Sequence, residues 1–315
     1  MCCLFGLLNY SGMKNPIIDE LINNLAQEAT IRGTDSTGIA YNKGSKLIVY
    51  KKPKNAYEMT FKGLDNCVCV SGHTRHATQG SYLKNYNNHP FYGKCNNAKF
   101  ALSHNGVLWN DSSLRTSFNL PKDKIETDSY IAVQLLEHFN HLSVENVASM
   151  AELVSGSFTF TLTDNRDTLW IVKGDNPLVM VHFPQHELYV YASTQQILFT
   201  ALCRTDLVDD IASGDFELVN ISSGEIVQID KRGKIKRDRF EFSYTNCYKY
   251  DWRTWNSILD EEDFDDFEEY DYNKQYLEDI KYVARSMGID GSFVDELYAD
   301  GYTLDELEEF ICNFH

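Results

Sequence analysis

The feature that most constrains this chain is a cysteine directly behind the initiator methionine, at the head of a strand-like apolar run. The chain begins MCCLFG, so Cys2 becomes the N-terminus once Met1 is removed. Cys2 then carries a thiol and a free α-amine, whose reference pKa of about 7.7–8.0 leaves part of it unprotonated near neutral pH. That amine can take the thiol proton without a separate histidine. The N-terminus therefore predicts a self-activated nucleophile, although these six residues alone fit a chance cysteine equally well.

The net charge of −17 is concentrated in the C-terminal fifth of the chain. Residues 251–315 hold 20 acidic and four basic residues, which leaves 26 acidic and 25 basic residues in the first 250. Such a body lacks the basic face that nucleic-acid binding requires. The eight cysteines are scattered, without zinc-type pairs, and no apolar run reaches the roughly 18 residues of a membrane span. We therefore expect a cytoplasmic protein with no nucleic-acid or membrane partner, no metal site and no cofactor.

The order of predicted elements favours a layered α+β fold. Asn15 and Pro16 are typical of a helix start, and the helix is expected to end at Gly33. A helix pair is predicted from residue 131, its second helix capped by Ser143. Strands are predicted at residues 47–50, 67–70, 100–103, 157–163, 168–172, 188–192, 216–219 and 225–229. Because helices and strands are grouped and do not alternate, a βαβ fold is not expected.

Three segments are predicted along the chain. Residues 1–245 form the main domain, and residues 246–272 form an acidic linker in which adjacent like charges disfavour compaction. Residues 273–315 are expected to form three short helices at 273–286, 292–299 and 304–313. This module resembles the ubiquitin-associated type, with Met287, Gly288 and Ile289 in the place of its loop motif.

Polar and glycine-rich motifs occur along the main domain in a fixed order. They are Cys2, Arg32–Gly38, Gly72–Thr78, His89–Phe91, His104–Gly106 with Asn110, and Glu126–Asp128. This ordered set resembles the class II glutamine amidotransferase domain, and fainter similarity continues to about residue 240. The resemblance implies an Ntn-hydrolase fold, in which two antiparallel sheets lie between helical layers as a four-layer αββα sandwich.

The same resemblance implies a reaction. The thiol of Cys2 would attack the side-chain amide of glutamine, form a glutamyl thioester and release ammonia, while its own α-amine transfers the protons. The side chain of Asn105 and the backbone N–H of Gly106 would bind the oxyanion.

Substrate recognition is also implied by the resemblance. Arg75 would pair with the α-carboxylate of glutamine and Asp128 with its α-ammonium group, and Thr78 belongs to the same substrate-binding set. Four residues are expected to support the site: Arg32, Asp35, His89 and His104. For Arg32 and Asp35 the expected supporting role is to tie a loop together. Histidines 73, 76, 89 and 104 include no pair with metal-ligand spacing, so a metal site is not expected.

Several residues depart from the family pattern. Cys3 stands where glycine is usual, which predicts a narrower site or a second thiol beside the nucleophile. His76 replaces a frequent tryptophan, Gln79 a frequent histidine and Tyr130 a frequent glutamate. These differences bear on substrate closure more than on the core reaction.

We therefore expect an enzyme that hydrolyses glutamine and supplies ammonia to a separate acceptor synthase or ligase, because nothing after residue 240 resembles an acceptor domain. Two alternatives remain at this point. One is an Ntn amidohydrolase with another amide substrate, which Arg75 and Asp128 disfavour. The other is a non-catalytic binding protein on a degenerate fold, which the presence of Cys2, Asn105 and Gly106 disfavours.

Overall fold

The computed structural model describes residues 2–242, 277, 280–281, 284, 289–299, 302, 304 and 307. The chain divides into two compact units, Met1–Thr254 and Trp255–His315. All the predicted site residues belong to the first unit.

The strands of the first unit, numbered along the chain, form two sheets in which every pairing is antiparallel. From edge to edge the first sheet comprises β11 (Glu217–Leu218), β9 (Val179–Phe183), β10 (Leu188–Ala192), β1 (Cys3–Asn9), β4 (Cys69–Arg75), β2 (Ser36–Lys43) and β3 (Lys46–Lys52). The second sheet comprises β13 (Ile235–Arg239), β12 (Glu225–Ile229), β8 (Leu169–Lys173), β7 (Gly156–Asp164), β6 (Lys99–Leu108) and β5 (Phe91–Lys94).

Helices cover the outer face of each sheet. The helices of this unit are α1 (Ile17–Glu28), α2 (Asp111–Ser117), α3 (Tyr130–Phe139), α4 (Val144–Leu153), α5 (Gln195–Leu202) and α6 (Val208–Ser213). One hydrophobic core joins α1 and α5 to the first sheet, and another joins α2, α3 and α4 to the second. A third core fills the space between the sheets. This arrangement confirms the predicted α+β fold with four αββα layers.

Strand β1 shows why its sequence is apolar throughout. Cys3, Phe5 and Leu7 pack into the core beneath α1, whereas Leu4 and Leu8 pack between the two sheets. Successive side chains of a strand point to opposite faces, so a strand covered on both faces must be apolar at every position. Cys2 has the parity of Leu4 and therefore lies on the side that faces the second sheet.

Local signals placed some element ends correctly and others within a few residues. The side chain of Asn15 accepts a hydrogen bond from N of Ile17 (3.2 Å), as a helix-start residue should, and the Ser143 hydroxyl accepts one from N of Asn146 (3.3 Å). Strands 188–192 and 225–229 have the predicted bounds. The expected helix end at Gly33 was wrong, because α1 stops at Glu28 and a 3₁₀ turn follows over Ala29–Ile31.

Two motifs lie inside strands and not in loops after them. The predicted strand end at Ser103 was wrong, because β6 continues to Leu108 and carries His104–Gly106 within it. The strand predicted at 67–70 begins at Cys69 and extends through Arg75. In both cases polar side chains occupy strand positions because neighbouring strands pair with the backbone: β4 pairs with β1 and β2, and the His104–Gly106 part of β6 pairs with β7. Sequence patterns of apolar residues cannot reveal such pairing.

The second unit has a small core of its own, formed by Leu277, Ile280, Ala284, Val294 and Leu307. Helix α7 (Gly291–Ala299) confirms one of the three helices predicted there. The predicted linker at 246–272 lies outside the described residues, as does most of the other two helices, so the proposed domain limits stay a prediction. None of the described helices combines the length and apolar character needed to cross a lipid bilayer.

Candidate active site

Cys2 lies immediately before β1, at the end of the sheet where β4 also ends. Its thiol donates a hydrogen bond to O of His76 (3.5 Å), the residue after β4, and its own carbonyl accepts one from Nε of Arg32 (3.1 Å). Cys2 is partly exposed. The nucleophile candidate is therefore held by backbone contacts and reachable from solvent.

The thiol of Cys2 does not ionise readily in this position. Although the residue is partly exposed, its sulfur lies among protein atoms, and this burial raises the pKa of the thiol. The hydrogen bond to His76 and the positive charge of Arg75 oppose that shift, while the negative charge of Asp128 adds to it. A neutral thiol needs a base before it can attack.

Cys3 does not add a second thiol to the site. Its side chain is fully buried in the core beneath α1, on the face of β1 opposite to Cys2, and its thiol donates to O of Leu4 (3.3 Å). Burial also raises its pKa. The prediction of a second thiol beside the nucleophile was therefore wrong, because Cys3 is a core residue.

Arg75 closes β4 and is 3% exposed. Its Nη1 donates to Oδ1 of Asn88 (2.9 Å), and its Nη2 donates to the carbonyl oxygens of Gln79 and Gly80, the latter at 3.1 Å. Burial lowers its pKa, while the neighbouring Cys2 and Asp128 raise it. The guanidinium is therefore fixed in place and within electrostatic range of both the thiol and the carboxylate.

Asp128 precedes α3 and is 4% exposed. Its Oδ2 accepts from N of Leu108 (2.6 Å) and its Oδ1 accepts from the hydroxyl of Ser129 (3.3 Å). The carboxyl group is thus buried, held by two hydrogen-bond donors and within electrostatic range of Arg75. These bonds place it next to the end of β6, two residues beyond Gly106.

Asn105 lies in β6 opposite Thr159 of β7 and is 1% exposed. Within the described part of the chain, no acceptor lies within hydrogen-bond distance of its Nδ2. Ala101, which has the same parity on β6, packs with Ala40 and Leu47 of the first sheet. Asn105 therefore faces the sheet that carries Cys2, with an amide donor that is buried and unused.

Gly106 has a backbone conformation reserved for glycine, with φ of +140°. A Cβ atom here would lie 1.9 Å from O of Ser157 and 2.8 Å from Nε2 of His104. The residue is glycine because β7 approaches closely. His104 points to the other face, where its Nδ1 lies 2.8 Å from the Ser129 hydroxyl and its ring packs on Phe160.

His89 belongs to a group of neutral, buried rings. It lies 4.2 Å from the ring of His73 and 4.4 Å from that of Phe91, between centroids, and a cis peptide joins it to Pro90. Burial lowers the pKa of His89 far below its ordinary value and that of His73 to about 3. Nε2 of His73 donates to O of His104 (2.9 Å). Within the described residues, no three His, Cys, Asp or Glu side chains are grouped as metal ligands.

The remaining predicted residues lie on the loops around Cys2. Asp35 accepts a hydrogen bond from N of Ala77 (2.7 Å), and its own N donates to O of Arg75 (2.9 Å), so it ties two loops together. Thr78 is exposed on the loop after β4 and is not part of the buried group. The sequence did not single out Asn88, which holds Arg75, because no short-range pattern links residues 75 and 88.

Comparison with known proteins finds similarity to glutamine amidotransferases. Residues 73–200 match the family described as "Glutamine amidotransferase domain". Glutamine–fructose-6-phosphate aminotransferase (isomerizing) of Staphylococcus aureus strain Mu50 is 28% identical over 253 residues, which cover 76% of this chain and 39% of that protein. The protein of the same name from Streptococcus agalactiae serotype III is 30% identical over 190 residues, covering 57% and 30%. This chain thus spans about two-fifths or less of the length of these curated relatives.

A solved structure supports the fold. Glutamine phosphoribosylpyrophosphate amidotransferase from B. subtilis superposes with a TM-score of 0.60 at 20% identity, over 77% of this chain and 50% of that chain. The two-sheet sandwich of this chain is thus the fold of that protein. Over residues 73–200 this chain is similar to glutamine amidotransferase domains, and together with its curated relatives this places the similarity with domains of class II. Domains of this class hydrolyse the side-chain amide of glutamine.

Proposed function

We propose that this protein hydrolyses glutamine through a thioester at Cys2 and supplies the ammonia to a separate acceptor protein. The observation that carries the proposal is that the Cys2 thiol lies within electrostatic range of Arg75 and Asp128, while the unused amide donor of Asn105 is on the face of β6 that is turned to the first sheet. A nucleophile, a charged pair for an amino acid and a donor for an oxyanion are the parts that this reaction needs.

The chemical steps follow from these groups. The α-amine of Cys2, freed by removal of Met1, takes the thiol proton, and the thiolate adds to the amide carbon. Nδ2 of Asn105 and the N–H of Gly106 donate to the oxyanion, and the ammonium proton passes to the amide nitrogen as the C–N bond breaks. Ammonia leaves a glutamyl thioester. Water, deprotonated by the same amine, then releases glutamate and restores the thiol.

Two charged side chains would recognise the amino-acid end of glutamine. In the described part of the chain, acceptors occupy three of the five N–H donors of Arg75, so two remain for a carboxylate. Each oxygen of Asp128 accepts one hydrogen bond and can accept another from an ammonium group. Thr78 would close over the substrate from the exposed loop. Arg32, Asp35, His89 and His104 would hold the loops and strands in register.

The first test separates glutamine recognition from hydrolysis of some other amide. We expect the protein to release ammonia from glutamine and not from asparagine, whose shorter side chain cannot reach the thiol while its charged ends are bound. Asp128→Asn and Arg75→Lys should each raise KM for glutamine by an amount equivalent to about 1.5–3 kcal/mol, with smaller effects on kcat, because each removes a charge-assisted contact. Asp128→Asn is the cleaner change, since its side-chain oxygen can still accept from Leu108.

Steady-state kinetics with an ammonia assay provide the measurement. Equal hydrolysis of unrelated amides, with KM unchanged in both variants, would favour another Ntn amidohydrolase. No hydrolysis and no thioester with any amide would favour a binding protein.

The acceptor is proposed to be a separate protein in the cytoplasm. The six described cysteines are all unpaired, which fits a reducing compartment. The net charge of −16 over residues 251–315 suits electrostatic docking on a basic partner, while the near-neutral body carries every site residue. A solubilising role for these acidic residues is the alternative.

Removal of the acidic segment tests this assignment. A chain that ends at Ser243 is expected to fold and to hydrolyse glutamine at the rate of the full chain. In a copurification experiment, proteins that bind the full chain but not the truncated chain should elute as the ionic strength rises. The reason is that exposed charges are screened within about 8–10 Å near physiological salt. An unfolded or inactive truncation would show that the proposed limit of the catalytic domain is wrong.

A further inference from the structure

Lys51 is a half-buried cation beside the glutamine site that the proposed reaction does not use. It lies in β3, the edge strand of the first sheet, and its Nζ donates to the carbonyl oxygens of Asn88 and Pro90, the latter at 3.0 Å. The same ammonium group stands 4.8 Å from the centre of the Phe91 ring. Two carbonyl dipoles and an aromatic face all favour a positive charge at this position.

Gly38 makes this contact possible. It lies in β2, paired with Lys51 of β3, and a Cβ at residue 38 would lie 2.3 Å from O of His89 and 2.7 Å from Cβ of Lys51. Without that atom, the segment 88–90 lies directly on the sheet. The lysine side chain can then reach across β2 and hold the segment by its backbone.

Asn88 carries the effect of this contact to the active site. Its backbone oxygen is bound by Lys51, while its side-chain Oδ1 accepts from Nη1 of Arg75 (2.9 Å) and its Nδ2 donates to O of Tyr82 (2.8 Å). Asn88 is fully buried. A shift of its backbone would therefore move the acceptor that orients the Arg75 guanidinium.

We propose that Lys51 is a positioning residue for glutamine: it fastens residues 88–90 to the first sheet and, through Asn88, sets the Arg75 fork that binds the substrate carboxylate. This inference rests on the proposed function, because it assigns a role in that same site. It also predicts a link between glutamine binding and the charge of Lys51.

The charges around Lys51 determine which of its two charge states binds glutamine more tightly. Burial, and then the positive charge of Arg75, lower the pKa of Lys51 to about 7. Among the described residues, His73 and His89 also interact electrostatically with Lys51, and burial lowers the pKa of both so that they are neutral. A carboxylate bound to Arg75 offsets the repulsion between the two cations, so glutamine binding raises the pKa of Lys51 and takes up a proton. Glutamine affinity is then highest below about pH 7 and falls as the pH rises through that value.

Glutamine binding to a Cys2→Ala protein, measured by calorimetry between about pH 6 and pH 8.5 in buffers of different ionisation enthalpy, tests the proposal. With Lys51 present, we expect affinity to fall as the pH rises and a proton to be taken up near neutral pH. In Lys51→Met, the affinity for glutamine at the low end of the pH range should be about three- to tenfold weaker than in the protein with Lys51. The proton uptake near neutral pH that is due to Lys51 should vanish. In Lys51→Arg, whose charge does not titrate, the pH dependence should flatten.

Controls separate positioning from a general loss of structure. Lys52→Met removes the adjacent, exposed lysine and should change neither affinity nor proton uptake. With Cys2 present, Lys51→Met should raise KM while kcat stays near that of the unsubstituted protein. The α-amine of residue 2 titrates in all variants alike, so it cancels between them.

Two outcomes would count against the account, and they differ. If Lys51→Met binds glutamine with full affinity and the same proton uptake, the positioning role is wrong while the proposed function stands. If the Cys2→Ala protein binds no glutamine with Lys51 intact, the proposed function fails and the inference fails with it. If Lys51→Arg does not fold, the comparison of Lys51→Met with Lys52→Met still decides.

Discussion

Replacement of Cys2 by alanine is expected to reduce glutamine hydrolysis by at least about 10⁴-fold, the scale of losses when a nucleophile is removed. The neighbouring thiol of Cys3 cannot replace it, because Cys3 is fully buried on the opposite face of β1. Cys2 is partly exposed and lies outside the strand, so the thermal unfolding temperature should hardly change. An ammonia assay together with thermal unfolding measures both quantities.

Cys3→Ala is the matched control for this variant. It should retain hydrolysis and lose stability by about 1 kcal/mol, because it removes a buried sulfur from the core beneath α1. The opposite pattern, an inactive Cys3→Ala and an active Cys2→Ala, would reverse the assignment of nucleophile and core residue.

Replacement of Asn105 by alanine is expected to lower kcat by about 10²–10³-fold with little change in KM, as the loss of one oxyanion donor does in other enzymes. The reason is geometric. Nδ2 of Asn105 is buried and, among the described residues, has no acceptor in the resting protein. A donor without a ground-state partner contributes only when negative charge develops, so its loss should affect turnover and not binding.

Ser103→Ala is the matched control for Asn105. Ser103 lies two residues earlier on β6, on the same face, and its hydroxyl is also buried without a partner in the described part of the chain. If any buried, unpartnered polar group on this face supported turnover, both variants would have a lower kcat. We expect only Asn105→Ala to do so, and a rise in KM at constant kcat would contradict its role at the oxyanion.

The sequence predicted those parts of the molecule that depend on local pattern. The apolar run after Cys2 predicted β1, and the order of the polar motifs predicted the fold. Where it failed, the missing information lay in pairing between distant strands. The conformation of Gly106, for example, is set by the close approach of β7 to β6.

Contacts between loops were beyond prediction for the same reason. The bond of Arg75 to Asn88, and the bond of Lys51 to the segment 88–90, join residues that are 13 and more than 35 positions apart. The contact of Lys51 with this segment requires a glycine at position 38, because a Cβ there would collide with O of His89 and Cβ of Lys51. This requirement can be recognised only when the pairing of β2 with β3 is known. Burial of Cys3 could likewise be assigned only after α1 was known to cover that face of β1.

Reaction of the protein with a glutamine analogue that carries an electrophilic side chain tests the central claim most directly. Intact-mass measurement and peptide mapping should find a polypeptide that begins at Cys2, with a single adduct on the thiol of that residue. Excess glutamine should prevent labelling, and Asp128→Asn should slow it. A chain that keeps Met1, or an adduct on Cys3 or another cysteine with Cys2 unmodified, would contradict the account.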